Sequence, residues 1–174
     1  NYLSALPQNA EMLSTFFLLL LKTPYIVLLA NWAMGIVCAA AVYLLARRFV
    51  PRSWALGAAL LFYSPPFVSY LSAIAKNDLY VAAASILALA LMADWLRSGD
   101  GGARPLVASG LLWGFALGCK YSALYLFAAA LAALAVWGVS RYGAKKTLAA
   151  AFVMAACALP AAAPWYARAA ALTG

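Results

Sequence analysis

The 174-residue chain is 68% hydrophobic and 9% charged, carries a formal net charge of +8, and contains no histidine. A soluble domain carries roughly 25% charged residues, and a folded chain of this size in water must still cover its outside with polar groups, so the composition excludes a soluble globular domain and makes lipid the solvent. The basic residues stand singly or in pairs at the ends of apolar runs rather than in one stripe, which argues against a nucleic-acid partner.

In lipid every backbone N–H and C=O must be satisfied within the chain, which leaves helices or closed barrels. A barrel strand alternates apolar and polar residues, whereas a stretch such as 123–139 is apolar on all faces and rich in Ala and Leu. The sequence therefore predicts an all-α fold, a polytopic transmembrane helix bundle. No charged n-region or small-residue cleavage site precedes the first apolar run, so that run does not read as a signal peptide. Residues 1–7 read as the middle of a loop, and the chain is expected to be an internal piece of a longer protein.

Residues 7–21 open on Pro7, carry Glu11 one turn in, and fall short of the roughly 20 residues of a span. A juxtamembrane helix is expected there, closed by Lys22-Thr23-Pro24. Residues 25–46 have the length of a span and end in Arg47-Arg48, with Arg52 just beyond. Residues 53–75 form a second span interrupted at Pro65-Pro66, because prolines remove backbone donors and restrict the residue before them; 67–75 should run as a separate short piece. Residues 78–96 form the third span, entered through Lys76-Asn77-Asp78 and left through Trp95-Leu96-Arg97, and 98–104 is a Gly-rich polar turn. Residues 105–140 would make about 54 Å of helix against a hydrocarbon core of about 30 Å. They divide at Gly118-Cys119-Lys120-Tyr121 into 105–118 and 122–139. The first piece is only about 21 Å long, which puts Lys120 in a recessed, water-accessible mouth. A polar turn at 141–146, a sixth span at 147–163, and an aromatic, basic segment opening an outer loop at 164–174 complete the expectation: a single transmembrane domain with its bundle at 25–163, of about six spans plus the juxtamembrane helix.

Alternating turns put Arg47, Arg48, Arg52, Arg97, Arg104, Arg141, Lys145 and Lys146 on one side, and Lys22, Lys76, Lys120 and Arg168 on the other. Eight positive charges against four make the first side cytoplasmic by the positive-inside rule. Glu11, Lys76, Asn77, Asp78, Lys120, Tyr121 and residues 165–168 are then gathered on the outer face. Asp94 and Asp100 fall with the cytoplasmic arginines and read as solvated partners of Arg97 and Arg104. Asp78 has two readings: an N-cap, accepting hydrogen bonds from first-turn N–H groups, or a functional carboxylate at membrane depth. Lys120 either snorkels to the headgroups or, with Gly118 and Tyr121, lines a recessed site for an anion. Gly110, Gly114 and Gly118 stand four apart and share one helix face, a close-packing surface of the small-xxx-small type. Trp165, Tyr166 and Arg168 suit an interfacial belt, and the planar fork of Arg168 would equally suit a phosphate. Cys38, Cys119 and Cys157 lie far apart in apolar surroundings without metal-ligand spacing; they read as packing residues, and no metal site is predicted.

The order of short motifs resembles the polytopic GT-C glycosyltransferases, closest to the branch related to protein mannosyltransferases and lipid A aminoarabinose transferases. The motifs are LPQNAEM (6–12), an Arg-Arg turn, SPP (64–66), AKNDL (75–79), GFALGCKYSAL (114–124) and PWYARAAALTG (164–174), and the resemblance covers essentially the whole chain. It implies a membrane glycosyltransferase with a polyprenyl-phosphate-linked sugar donor, a multi-pass position in the plasma (inner) membrane among its lipids, an extracytoplasmic active site, and transfer to a lipid, glycan or protein acceptor. It matches Asp78 with the acidic residue of the second outer loop and Glu11 with the polar position of the juxtamembrane helix, the two candidate catalytic residues. Lys120 and Arg168, with Tyr121, Asn77 and Lys76 beside them, are substrate-binding candidates by side and charge. The carboxylate pair usual in the first outer loop would lie before Asn1, so this segment is not expected to be active alone, and a divalent metal would be held mainly by residues outside it. The implied reaction is direct displacement at the anomeric carbon, with a carboxylate activating the acceptor hydroxyl and cations stabilising the phosphate leaving group. The alternative is a transporter or flippase-like module for a lipid-linked or anionic solute, which broken helices near Pro65-Pro66 and Gly118 would also suit.

Overall fold

A computed structural model describes residues 6–98 and 102–173. The regular structure among them is helical throughout: α1 (Asn9–Leu21), α2 (Tyr25–Ala46), α3 (Arg52–Tyr63), α4 (Pro66–Ala73), α5 (Asp78–Ser98), α6 (Arg104–Leu117), α7 (Ala123–Tyr142) and α8 (Ala144–Thr173). Helices α2, α5, α7 and α8 are long and apolar enough to cross a membrane. Helices α3 and α4, bent by 65° at the prolines, add a fifth crossing if taken as one broken span. The break has its expected cause: Pro65 is extended, as a residue before proline must be, and Pro66 opens α4. Helix α6 has 14 residues, about 21 Å, and is too short to span a core of about 30 Å unaided. The expected bundle of about six spans is thus four full crossings, one broken pair and one short helix.

Helix α5 is the centre. In its apolar stretch 61% of residues are buried, against 22–28% in α2, α7 and α8, and it packs against α2, α6 and α7. Lipid tails are as apolar as leucine, so membrane helices associate through close packing rather than through hydrophobic burial. The sequence of α5 suits that: Ala83, Ala84, Ser85, Ala88, Ala90 and Ala93 are all buried, and they let neighbours approach from several sides. The glycine face of α6 packs against α8 in the same way. A Cβ added to Gly110 would stand 2.5 Å from the Met154 carbonyl oxygen, and one on Gly114 would stand 2.9 Å from Ala158 Cα, both well inside van der Waals contact.

Two sequence expectations are corrected. The last helix does not end at residue 163: α8 continues through Pro160 and Pro164 to Thr173, so 164–173 are helical where an outer loop was expected to open. Proline removes one backbone donor, but membrane helices tolerate it where other groups meet the freed carbonyls. The carbonyls that Pro160 and Pro164 free are those of Ala156 and Pro160; between the two prolines the side-chain amide of Asn9 donates to Ala161 O at 3.3 Å, which ties this stretch of α8 to α1. The second correction concerns Asp94. Its partner is neither Arg97 nor Arg104 but Arg48, whose Nε and Nη2 reach Oδ1 and Oδ2 at 2.6 and 2.5 Å. The packing of α5 against α2 brings Asp94 to the end of α2. Asp100 lies outside the described residues.

The turns divide between two ends. At the arginine-rich end the Arg48–Asp94 pair is joined by Tyr142, whose hydroxyl donates to Leu96 O at 2.6 Å, and by Arg141, whose Nη2 donates to Arg97 O at 3.4 Å. At the opposite end, the α1 end, the α4–α5 turn, the α6–α7 turn and the C-terminal part of α8 meet around α1.

Candidate active site

Asn9 fastens α1 to the bundle. Its backbone N–H donates to Gly118 O at 2.7 Å. Its side-chain amide donates to Phe115 O and Ala161 O, both at 3.3 Å, and its Oδ1 accepts from Trp165 Nε1 at 2.7 Å. One asparagine therefore ties α1 to α6 and α8. Gly118 leaves the room this requires, since a Cβ there would run into the Asn9 amide and stand 2.6 Å from Ala161 O. The sequence reading missed Asn9; the available signal was a polar side chain opening a run of thirteen residues that is otherwise largely apolar.

Fixing α1 in this way sets Glu11 against the other two turns. Asn77 Nδ2 donates to Glu11 Oε1 at 3.0 Å and to Cys119 O at 3.1 Å, so a single amide joins α1, the start of α5 and the α6–α7 turn. Lys120 Nζ meets Asp78 Oδ1 at 2.5 Å. Helix α5 begins at Asp78, and the Asn77 carbonyl accepts from Val81 N at 3.2 Å. Asn77 thus holds the N-cap position, and the Asp78 carboxylate goes to Lys120. The pair is half open to solvent, with 44% of the lysine side chain and 33% of the aspartate side chain accessible. An ammonium has three donors, so Lys120 can hold Asp78 and still meet an anion.

Two cavities flank this cluster. The larger, about 470 Å³, lies between the start of α1 and the α6–α7 turn and is walled by Glu11, Asn77, Lys120, Tyr121 and Ser122 among others. The smaller, about 180 Å³, lies between α1, α2 and the start of α5, with Glu11, Ser14, Asn31, Lys76, Asn77 and Tyr80 in its wall. Glu11 and Asn77 belong to both. Cys119, beside Lys120 in sequence, is not a nucleophile: it is buried, and burial pushes its thiol up to about 12, so the reactive thiolate is scarce at neutral pH.

Of the residues singled out in the sequence, Glu11, Asn77, Asp78 and Lys120 form one connected cluster. Tyr121 lines the larger cavity and stands edge-on to Tyr166, with ring centroids 5.3 Å apart. Lys76 lines the smaller cavity. Arg168 is not brought in. It is exposed, makes no hydrogen bond or ion pair with the described residues, and belongs to neither cavity wall; it lies two positions past Tyr166, so about 200° around α8 separates them. Among the described residues no three Asp, Glu, Cys or His side chains converge.

The fold and this cluster define the class: a polytopic helical integral membrane protein with ionisable side chains gathered around cavities at one end of the bundle. A sequence model of the dolichyl-phosphate-mannose-protein mannosyltransferase family matches residues 7–167, and the chain belongs to that family. Membership makes it a membrane glycosyltransferase of the GT-C type, and it favours that class over the transporter-like alternative. No curated protein and no solved structure matches the chain.

Proposed function

We propose that the protein transfers a sugar from a polyprenyl-phosphate donor to a hydroxyl acceptor, at the α1 end of the bundle and on the extracytoplasmic face of the plasma membrane. The observation that carries this reading is the joining of Glu11, Asn77, Asp78 and Lys120 around two adjacent cavities, in a chain whose family acts on lipid-phosphate sugars. The lipid phosphate sits in the larger cavity against Lys120, where the ammonium offsets the charge that develops on the leaving phosphate. Asp78 positions Lys120 by holding it from one side. Glu11, the carboxylate common to both cavities, faces the reacting bond, orients the incoming hydroxyl and accepts its proton, and Asn77 fixes its rotamer. Short α6 recesses the α6–α7 turn below the membrane surface, so phosphate and hydroxyl can meet at the depth of a lipid headgroup. The charge distribution supports the orientation, with eight of the twelve basic residues at the opposite end.

Transfer of radiolabelled sugar from defined polyprenyl-phosphate donors, by the full-length protein in proteoliposomes, tests the reaction; no transfer from any such donor would sink it. The face is tested on intact cells in a cysteine-free background. An impermeant maleimide should label Tyr121→Cys and spare Lys145→Cys, and the reverse pattern would overturn the orientation.

A further inference from the structure

Three uncharged polar side chains outside the cluster around Glu11 line the smaller cavity: Ser14, Asn31 and Tyr80. Asn31 is 1% exposed, and its Nδ2 donates to Leu71 O at 2.5 Å and to Ile74 O. That fixes the amide with its oxygen as an acceptor, and among the described residues this buried Oδ1 has no partner. Tyr80 is 3% exposed, and among the described residues its hydroxyl closes no hydrogen bond, Ser14 of the same wall being the polar side chain that acts on it. Buried polar groups are hydrogen-bonded almost without exception, and each one that is not requires an explanation. Two in the wall of one cavity call for an occupant that supplies hydrogen bonds.

Resting on the transferase reading above, we propose that this cavity seats the sugar ring of the donor, with Tyr80, Asn31 and Ser14 reading its hydroxyls. The chemistry of the wall selects that class. Asn31 Oδ1 and the Glu11 carboxylate accept, the Tyr80 and Ser14 hydroxyls both donate and accept, and Lys76 in the same wall donates. A ring whose hydroxyls each donate and accept satisfies such a set. An apolar group would leave Asn31 and Tyr80 unfilled. The volume, about 180 Å³, holds a small polar body rather than a lipid chain. Position agrees with chemistry: Glu11 and Asn77 are the wall shared with the larger cavity. A sugar in the smaller cavity and its phosphate beside Lys120 are then joined by a bond that passes Glu11.

The test measures binding of dolichyl-phosphate mannose and of dolichyl phosphate to the full-length protein in nanodiscs. Wild type should prefer the mannosylated lipid. Tyr80→Phe removes one hydroxyl and keeps the ring, and should cut that preference about five- to tenfold, the worth of one hydrogen bond. Its affinity for dolichyl phosphate should be unchanged, and its Tm without ligand equal to or above that of wild type, because an unfilled buried hydroxyl is gone. Ser14→Ala should lower the preference about twofold. Equal binding of the two lipids by wild type would overturn the subsite even if transfer is observed. So would an undiminished preference in Tyr80→Phe, the result expected if ordered water fills the cavity, or an equal loss of affinity for both lipids. A preserved and Tyr80-dependent preference without any transfer would support the subsite and count against the transferase reading instead.

Discussion

Arg48–Asp94 and Lys120–Asp78 stand at opposite ends of the bundle, both closed at 2.5 Å, and their surroundings differ in what they leave unused. The guanidinium of Arg48 spends Nε and Nη2 on the two oxygens of Asp94 and Nη1 on Leu44 O, so the protein itself consumes its fork. It staples the end of α2 to α5. Among the described residues the ammonium of Lys120 has one partner for its three donors, and it opens on a cavity of about 470 Å³. The lesson is that an ion pair becomes a site through the donors it keeps and the space beside them, not through its length or its charges.

The largest effect expected of any single change is loss of the fold at the α1 end. Gly114→Leu should abolish recovery of folded protein on size-exclusion chromatography, because α6 and α8 touch at that glycine. Gly57→Leu, where an added Cβ meets nothing within 4 Å, should be recovered like wild type. A folded Gly114→Leu protein would mean that the seam holding the cavity is looser than its geometry.

Next comes the contrast between the two cations. Lys120→Ala should raise the donor KM by at least tenfold with a smaller change in kcat, the worth of a hydrogen bond to a charged group. Arg48→Ala should leave the donor KM unaltered. Equal effects on KM from the two variants would erase the distinction between site and staple. The staple should show itself in stability alone. Asp94→Asn keeps the size of the side chain and weakens a partly exposed pair, at a cost of about 1 kcal/mol, read as a small drop in Tm with transfer rates within about twofold. Smallest is the response of Cys119. Native protein should resist maleimide at that position at pH 8, and labelling should appear only on unfolding; rapid labelling of the native thiol would contradict its burial.

Most of this architecture was legible as lengths and interruptions. The doubled proline, the Gly118–Tyr121 break and the glycines four apart each act locally, so the sequence displays them directly. The sequence also gathered Glu11, Asn77, Asp78 and Lys120, because alternating turns assign sides without any knowledge of packing. It could not give partners. Asp94 sits three residues before Arg97 and pairs instead with Arg48, 46 residues earlier, and Asn9 reaches Trp165 across 156 residues. Such pairings depend on which faces of α2, α5 and α8 turn inward, and helices rich in apolar residues on all sides carry little amphipathic signal to show it. For the same reason Asn31 and Tyr80 passed as ordinary members of apolar helices. The end of α8 was misjudged because a proline removes one donor without ending a helix that is held on both sides of it, here by Asn9 at Ala161 O and at Trp165 Nε1.

The central claim is that Glu11, at the wall shared by the two cavities, serves the transfer. Glu11→Gln tests it most directly, since glutamine keeps an oxygen to accept from Asn77 and so keeps the cluster, while the charge and the basicity are gone. Measured as sugar transfer from dolichyl-phosphate mannose by the reconstituted full-length protein, the variant should fall about 10²- to 10⁴-fold, with an unchanged Tm and unchanged affinity for dolichyl phosphate. Transfer by Glu11→Gln at the wild-type rate would contradict the account and leave Glu11 as a structural contact of Asn77.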